Sequence, residues 1–353
     1  MGLLRRSGFQ WVIGAAVLAV VVTVGATLAG ASAPGADWTS HPAAEANGWA
    51  SVTYGNGLFV AVSQDGANRV MTSPDGINWT AHPAAEANNW LSVTYGNGRF
   101  VAVSQFGANR VMTSPDGINW TAHPAAEANL WESVTYGNGL FVAVSQNGAN
   151  RVMTSPDGIN WTAHSAAEVN NWLSVTYGNG RFVAVAVDGT NQVMTSPDGI
   201  NWTAHAAAET ETNEWVSVTY GNGQFVALAQ NGANRVMTSP DGINWTAHLA
   251  TELNGWISAT YGNGLFVAVA VDGTNRVMTS PDGDTWTAHP AAEANLWTSV
   301  TYSNGLFVAV ALDGTHRVMT SGSLTSPTTS TPSTTTAPPA AVQPVNATPA
   351  FTG

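Results

Sequence analysis

The sequence predicts an all-β fold, a seven-bladed β-propeller built from four-stranded antiparallel blades. One observation behind this prediction is a repeat that runs through most of the chain and is well represented by residues 90–123, WLSVTYGNGRFVAVSQFGANRVMTSPDGINWTAH. The tryptophan near the end of each copy recurs every 41 residues, with one interval of 43, at Trp38, Trp79, Trp120, Trp161, Trp202, Trp245 and Trp286. A period near 40 is typical of propeller blades and of helical solenoids.

The pattern inside the repeat favours the propeller over the solenoid. Its four short segments, residues 91–95, 99–105, 110–114 and 119–123, are rich in Val, Thr, Phe, Tyr and Trp and show no apolar period of 3.6. Tight turns are predicted at Gly96-Asn97-Gly98 and at Asp116-Gly117. Residues 100–103 are apolar on both faces, as expected of a strand that is covered by a neighbouring blade on each side.

The two ends of the repeat array are offset, and the offset predicts how the ring closes. Groups of three strands begin at seven tryptophans, Trp49, Trp90, Trp131, Trp172, Trp215, Trp256 and Trp297. The last group ends near Ser321 without a fourth strand, whereas an orphan fourth strand, residues 37–41, precedes the first group. We expect the N-terminal strand to complete the last blade, so that the array has no open end.

The turn between the third and fourth strands resembles a known motif. Residues 114–120, Ser-Pro-Asp-Gly-Ile-Asn-Trp, are similar to the Asp-box, the bacterial neuraminidase repeat of sialidase-like propellers, although the usual residue between Asp and Gly is missing. The resemblance covers residues 37–321 and implies a propeller fold. We expect the aspartate to be structural, accepting backbone N–H bonds within its own hairpin. These aspartates are Asp75, Asp116, Asp157, Asp198, Asp241 and Asp282.

The resemblance also raises a sialidase-like or other glycoside-acting enzyme as an alternative function. Sialidases gather three arginines on one substrate carboxylate, whereas arginine here takes one equivalent position per blade, so that rotation spreads the side chains around a ring. They are Arg69, Arg110, Arg151, Arg235, Arg276 and Arg317, with Gln192 in the fourth blade. We expect salt bridges at the blade edges. A glycosidase would require two carboxylates about 5 to 10 Å apart in one pocket.

Composition limits the partners. The chain has 353 residues, no cysteine and a net charge of −12, which argues against nucleic acid or an anionic membrane surface as a partner. We expect a monomer without a cofactor. We also expect no metal site, because one His and one Glu per connection, as in His82 and Glu86, fall short of three converging ligands.

The chain divides into three parts by composition. Residues 1–33 are predicted to be a signal peptide or an uncleaved N-terminal membrane anchor, because Arg5 and Arg6 precede an uncharged apolar run over residues 11–30. Residues 34–322 form the predicted propeller, which would then lie outside the cytoplasm, secreted or anchored at the cell surface. Residues 323–353, rich in Ser, Thr, Pro and Ala, are predicted to be a disordered tail.

Differences between the copies concentrate on the face that carries the fourth-to-first connections and the second-to-third loops. The residue after the first-strand tryptophan, for example, is Leu91 in one blade, Glu132 in the next and Thr298 in the last. Such differences reflect either the drift of exposed loops or a recognition surface. The candidate ligand-binding residues are Trp49, Trp90, Trp131, Trp172, Trp215, Trp256, Trp297, Asn68, Asn109 and Asn150.

The functional hypothesis depends on the exposure of those tryptophans. Exposed indoles would offer stacking platforms to the sugar rings of a repeating polymer, with the asparagines as hydrogen-bond partners, whereas buried ones would belong to the core. The sequence therefore predicts an exported binding propeller for an envelope or extracellular glycan or for a protein partner. A glycoside-acting enzyme and a structural spacer without ligand remain alternatives.

Overall fold

The computed structural model describes residues 33–208 and 213–324, and this part of the chain contains 28 β-strands in seven four-stranded antiparallel sheets. The predicted seven-bladed propeller is confirmed. Of the predicted export segment, residues 1–32 lie outside the described residues, as do residues 325–353 of the predicted tail. Within the two described ranges, no helix has the length and apolar character that crossing a membrane requires.

The first four blades follow one another along the chain. Blade one consists of β2 (Trp49–Gly55), β3 (Leu58–Ser63), β4 (Val70–Ser73) and β5 (Thr80–His82). Blade two consists of β6 (Trp90–Gly96), β7 (Arg99–Ser104), β8 (Val111–Ser114) and β9 (Thr121–His123). Blade three consists of β10 (Trp131–Gly137), β11 (Leu140–Ser145), β12 (Val152–Ser155) and β13 (Thr162–His164). Blade four consists of β14 (Trp172–Gly178), β15 (Arg181–Ala186), β16 (Val193–Ser196) and β17 (Thr203–His205).

The last three blades include the one that takes a strand from the other end of the chain. Blade five consists of β18 (Trp215–Gly221), β19 (Gln224–Ala229), β20 (Val236–Ser239) and β21 (Thr246–His248). Blade six consists of β22 (Trp256–Gly262), β23 (Leu265–Ala270), β24 (Val277–Ser280) and β25 (Thr287–His289). Blade seven consists of β26 (Trp297–Ser303), β27 (Leu306–Ala311), β28 (Val318–Gly322) and the N-terminal β1 (Thr39–His41).

The hairpin between the first and second strands of each blade has a fixed local cause. In blade two, Asn97 has φ 46° and Gly98 has φ 75°. Two consecutive residues at positive φ make a type I′ turn, whose twist matches that of the flanking strands, and Asn-Gly is the sequence that tolerates it best. The same Asn-Gly pair occupies this turn in all seven blades.

The core lies between the blades. In the cluster shared by blades two and three, Trp131 and Phe141 pack against Val101 and Val103, and all four side chains are inaccessible to solvent. Seven such clusters are spread around the ring. Each second strand is buried on both faces because one neighbouring blade covers each face, as its continuous apolar run predicted.

The innermost strands are also joined by side-chain hydrogen bonds. The backbone N of Val134 donates to Ser92 Oγ of the preceding blade, at 3.1 Å. The same contact crosses the junction between the first and last blades, where Val52 N donates to Ser299 Oγ at 3.1 Å. The junction therefore has the same inner contact as the other blade interfaces.

The two chain ends together build the last blade. Strand β1 pairs antiparallel with β28, as the offset of the repeats predicted. Just before β1, Gly35 N donates to Ser321 Oγ at 2.8 Å and Trp38 Nε1 donates to Gly35 O at 2.9 Å. Blade one has the equivalent bond within a single turn, from Gly76 N to Ser73 Oγ at 2.8 Å. The seventh turn is thus assembled from opposite ends of the chain.

Candidate binding site at the mouth of the central channel

The propeller has two chemically different faces. On one, which we call the turn face, the Gly-Asn-Gly hairpins meet the Ser-Pro-Asp-Gly turns (SPDG turns) of neighbouring blades, as where Asn97 Nδ2 donates to Pro156 O at 3.1 Å. On the other, the mouth face, the fourth-to-first connections meet the second-to-third loops, as where Asn129 Nδ2 donates to Asn150 O at 2.6 Å. The sequence predicted this division of the loops.

The aspartates of the turn face are engaged within their own turns. Asp116 Oδ1 accepts hydrogen bonds from Ile118 N at 2.9 Å and Asn119 N at 2.8 Å, and Oδ2 accepts one from Asn119 Nδ2 at 2.8 Å. The backbone and side-chain bonds from Asn119 hold the pKa of Asp116 well below its usual range. The same internal bonds recur at Asp75, Asp157, Asp198 and Asp241. Asp282 accepts the backbone bonds from Asp284 and Thr285.

The structure corrects the role expected of the first-strand tryptophans. Trp49, Trp90, Trp131, Trp172, Trp215, Trp256 and Trp297 are all 0% exposed. In blade three, the indole Nε1 of Trp131 donates to Glu127 O at 3.0 Å. The stacking hypothesis is therefore wrong for these residues, because no ring face is open to a sugar. Their place is in the core between blades.

The candidate asparagines serve the loops of the mouth face. Asn150 Nδ2 donates to Glu127 Oε1 at 2.6 Å, and this side-chain bond is the main cause that lowers the pKa of Glu127. Asn68 and Asn109 bond in the same way to the glutamates of their own blades. These amides already have a carboxylate partner, so the structure gives no support to their predicted role in ligand binding.

The histidines that end the fourth strands and the glutamates of the fourth-to-first connections do not converge on a common site. His164 Nε2 pairs with Thr154 Oγ1 at 2.8 Å within the blade, whereas Glu168 accepts from Asn191 Nδ2 at 2.6 Å. Over residues 33–208 and 213–324, no group of three or more His, Cys, Asp or Glu side chains is placed to hold a metal ion.

The arginines of the mouth face link blades through backbone carbonyls, which corrects the expected salt bridges. Arg151 Nη1 donates to Asn170 O of the next blade at 2.6 Å and to Gln146 O at 2.7 Å. The ion pairs of the described residues are His248–Asp284 and His316–Glu293, neither with an arginine. Where blade four has Gln192 instead, its Nε2 makes the equivalent bond to Asn213 O at 2.7 Å.

A cavity of about 240 Å³ lies on the mouth face, and its lining includes one residue from every blade. Because residues from all seven blades line this cavity, it lies on the axis of the propeller. It is therefore the mouth of the central channel. The seven residues, which we call the mouth ring, each follow the first-strand tryptophan, and they are Ala50, Leu91, Glu132, Leu173, Val216, Ile257 and Thr298. Gln64, Gln230 and Leu312, which follow second strands, complete the lining.

A β-bulge explains how the chain places these residues. In blade three, Trp131 pairs with Ser145 and Ser133 with Val144, so that Glu132 between them has no partner on β11. The same register shift occurs at this point in every blade. Because a bulge inserts an extra residue and redirects its side chain, the tryptophan packs in the core while the next residue lines the channel.

Among the described residues that line the cavity, Glu132 is the one ionisable residue. The side-chain amides of Gln105 and Gln146 both donate to its Oε1. Burial raises the pKa of Glu132 to about 7, and the two glutamine bonds offset part of that rise. The rest of the described lining consists of aliphatic side chains, two glutamines and Thr298.

Sequence reasoning placed the variation on this face but selected the tryptophan instead of its neighbour. The signal that identifies Glu132 was present, since it is the only carboxylate among the seven residues that follow a first-strand tryptophan. Its two glutamine partners were not identifiable in the same way. Gln105 belongs to blade two and Gln146 to blade three, and their convergence on one oxygen requires the packing of neighbouring blades.

Comparison with known proteins agrees with the fold. The sequence matches the DUF6242 beta propeller domain over residues 34–173, 124–247 and 167–338. No curated protein matches. The sialidase-like relationship suggested by the SPDG motif is not confirmed by the family that matches.

Several solved structures share the architecture at low identity. Virginiamycin B lyase from Staphylococcus aureus has a TM-score of 0.70 at 12% identity, over 82% of this chain and 99% of its own. YCF48 from Cyanidioschyzon merolae has a TM-score of 0.62 at 16% identity, over 82% and 99%. YCF48 bound to D1 peptide has a TM-score of 0.61 at 16% identity, over 83% and 96%. At these identities the likeness shows the fold alone.

Proposed function

The chain belongs to the DUF6242 beta propeller family, and from that fold we propose that it is an exported, monomeric binding protein whose channel mouth receives a side chain from a peptide segment of a protein partner. The observation that carries this proposal is the convergence of the mouth ring on one cavity. The second and third strands repeat almost the same sequence in every blade, whereas the mouth-ring position holds six different residues in the seven blades.

The size and lining of the cavity indicate what it accepts. Pockets that enclose drug-sized ligands measure roughly 300–1,000 Å³. At about 240 Å³, this cavity suits a group the size of one amino-acid side chain. Leu91, Leu173 and Ile257 supply aliphatic surface from three blades, which favours a guest with an apolar body.

The alternatives have less support. A glycan polymer would require exposed aromatic platforms, and the seven first-strand tryptophans are buried. A glycosidase would require two carboxylates in one pocket, and Glu132 is the single carboxylate among the described residues of this lining. Peptide binding has a precedent on this fold, because a structure shows YCF48 bound to D1 peptide. That observation concerns YCF48.

The proposed location outside the cytoplasm rests on the sequence. Arg5 and Arg6 followed by the apolar run of residues 11–30 are typical of an export signal or an N-terminal anchor. An acidic chain without cysteine is compatible with either.

The proposal is tested by titrating the protein, labelled at Ile, Leu and Val methyl groups, with capped Ala-X-Ala tripeptides in which X covers each side-chain class. We expect at least one peptide to shift the methyl signals of Leu91, Leu173 and Ile257. Ile118 and Ile200, 41% and 45% exposed on the turn face, are the internal controls and should not shift. A parallel series of envelope oligosaccharides completes the experiment. Shifts confined to the turn face, binding that grows with oligosaccharide length, or no binding of any peptide would overturn the proposal.

A further inference from the structure

The chemistry of Glu132 narrows the class of side chain that enters the mouth, an inference that rests on the proposed peptide-binding function. We propose that the cavity takes a primary ammonium group on an apolar stem, the side chain of a lysine, with the Glu132 carboxylate as its partner. Three features of the cavity carry this inference: the oxygen of Glu132 that accepts no glutamine bond, the aliphatic residues beside it, and the absence of any other charged group from the described part of the lining.

The two carboxylate oxygens of Glu132 differ in their partners. Oε1 accepts both glutamine hydrogen bonds, from Gln105 Nε2 and Gln146 Nε2. Oε2 accepts none from the described residues and is not fully buried. One oxygen is therefore held in position, while the other remains available to a donor that enters the cavity.

This arrangement favours an ammonium over a guanidinium. Arginine recognises a carboxylate best with two parallel N–H bonds, one to each oxygen, and at Glu132 the glutamine amides already occupy Oε1. A lysine ammonium is a compact charge that can pair with a single oxygen. Its four-carbon stem is apolar and suits contact with Leu91 and Leu173, the mouth-ring residues of the two adjacent blades.

Among the described residues, no cationic side chain forms an ion pair with Glu132. On the blades packed against Glu132, the charged groups of the mouth-face loops have other partners: Arg110 donates to Asn129 O, Arg151 to Asn170 O, Glu127 accepts from Asn150, and Asp188 accepts from Asn171 N. Arg99 and Arg181 belong to the turn face, because each directly follows a Gly-Asn-Gly hairpin. Glu132 is therefore a partly buried carboxyl group without a countercharge in the described residues. Burial raises its pKa, and a ligand ammonium beside it would favour the ionised form again.

The proposal predicts opposite pH dependences for a charged and a neutral guest. A carboxyl group with a pKa near 7 is roughly 3% ionised at pH 5.5 and 97% ionised at pH 8.5. A lysine guest keeps its charge over this range, so its affinity should rise by about tenfold or more as Glu132 ionises. A norleucine guest, which has a methyl group in place of the ammonium, should bind no better at pH 8.5 than at pH 5.5.

The test measures the affinity of capped Ala-Lys-Ala and capped Ala-norleucine-Ala at both pH values, from the methyl shifts of Leu91 and Leu173. The wild-type protein is compared with Glu132→Gln, which keeps the shape and the acceptor for the glutamine bonds. Glu214→Gln is the matched control, because it removes the same charge from an exposed position on the same face. We expect the pH-dependent preference for lysine in the wild type and in Glu214→Gln, and its loss in Glu132→Gln.

The outcomes separate this inference from the function on which it rests. If both peptides shift the mouth signals with equal affinity at pH 8.5, the peptide-binding function stands and the lysine proposal is wrong. The same conclusion follows if Glu132→Gln keeps the preference while its thermal unfolding shows an intact fold. If neither peptide shifts the mouth signals and no other capped tripeptide does, the peptide-binding function itself fails.

Discussion

Trp131 and Glu132 are neighbours in the chain, yet Trp131 belongs to the scaffold of packed blades and Glu132 belongs to the mouth ring. Trp131 is 0% exposed, sits in the core between blades two and three, and has an identical counterpart in every blade. Glu132 occupies the adjoining bulge, lines the channel mouth, and has no acidic counterpart at its position in the other blades. In each blade, the scaffold tryptophan is followed directly by the bulged residue that belongs to the mouth ring.

The difference shows how a nearly perfect repeat can carry one specific site. Packing between blades requires the same apolar residues seven times, because each blade presents the same surfaces to its two neighbours. The bulged residue lies outside the ladder between its strand and the next, so it can change without disturbing those contacts. Substitutions in the two regions should therefore have separable effects, on stability in the scaffold and on recognition in the mouth ring.

The largest effect should follow from opening the ring. Deleting residues 33–41 removes β1 and the split turn at Gly35, which exposes the edge of β28. We expect a loss of roughly 3–5 kcal/mol in the free energy of unfolding, comparable to the loss of a large buried side chain. The measurement is denaturant unfolding, with a protein that begins at residue 33 as the control. Equal unfolding midpoints for the two proteins would contradict closure by the N-terminal strand.

A mouth-ring substitution should act on stability in the opposite direction. Burial raises the pKa of Glu132 in the folded protein above its unfolded value, so the carboxyl group destabilises the fold as pH rises through about 7 and has no such effect below about 4.5. Glu132→Gln should therefore stabilise the protein by up to about 3 kcal/mol at pH 8.5 and leave it unchanged at pH 4. Unfolding curves at both pH values check this, and an equal change at both would contradict it.

A turn-face aspartate should affect stability alone. Asp116→Ala removes the acceptor for Ile118 N and Asn119 N, and we expect a loss of about 1–2 kcal/mol, since water replaces part of those exposed bonds. Asp116→Asn, which keeps one oxygen, should lose less. Affinity for a mouth-binding peptide should stay within twofold of the wild type. Loss of binding with stability retained would show that the two faces have been assigned wrongly.

The smallest effect is expected where the repeat itself contains a natural substitution. Gln192 makes the same bond to the next blade that arginine makes elsewhere, so Arg110→Gln should cost no more than about 0.5 kcal/mol. Arg110→Ala, which leaves Asn129 O without this donor, should cost about 1 kcal/mol. The measurement is the thermal unfolding of Arg110→Gln and Arg110→Ala, each compared with the wild-type protein. Equal destabilisation by Gln and Ala would mean that the carbonyl bond contributes nothing.

The scaffold was predictable from sequence because its determinants are local and repeated. The Asn-Gly pair at positive φ, the apolar second strand and the SPDG turn each specify their own geometry, and the orphan strand at residues 37–41 revealed the closure. The residues of the binding site were harder to predict from the sequence. Whether Trp131 faced a ligand or the core depended on the bulge that follows it, and the arginines found backbone carbonyls on a neighbouring blade instead of carboxylates. The bulge is a register shift between two strands of one blade, and the arginine bonds cross to a neighbouring blade, so neither follows from the local sequence that specifies the turns.

The most direct test of the division between scaffold and mouth ring is a comparison of two double variants. Leu91→Ala with Leu173→Ala removes aliphatic surface from the mouth ring, and Ile118→Ala with Ile200→Ala removes a similar amount from the turn face. The affinity of the tightest-binding capped tripeptide should fall by about tenfold or more in the first variant, since each lost contact costs about 1 kcal/mol, and should not change in the second. Equal losses in the two variants, or a loss in the turn-face variant alone, would contradict the assignment of recognition to the channel mouth.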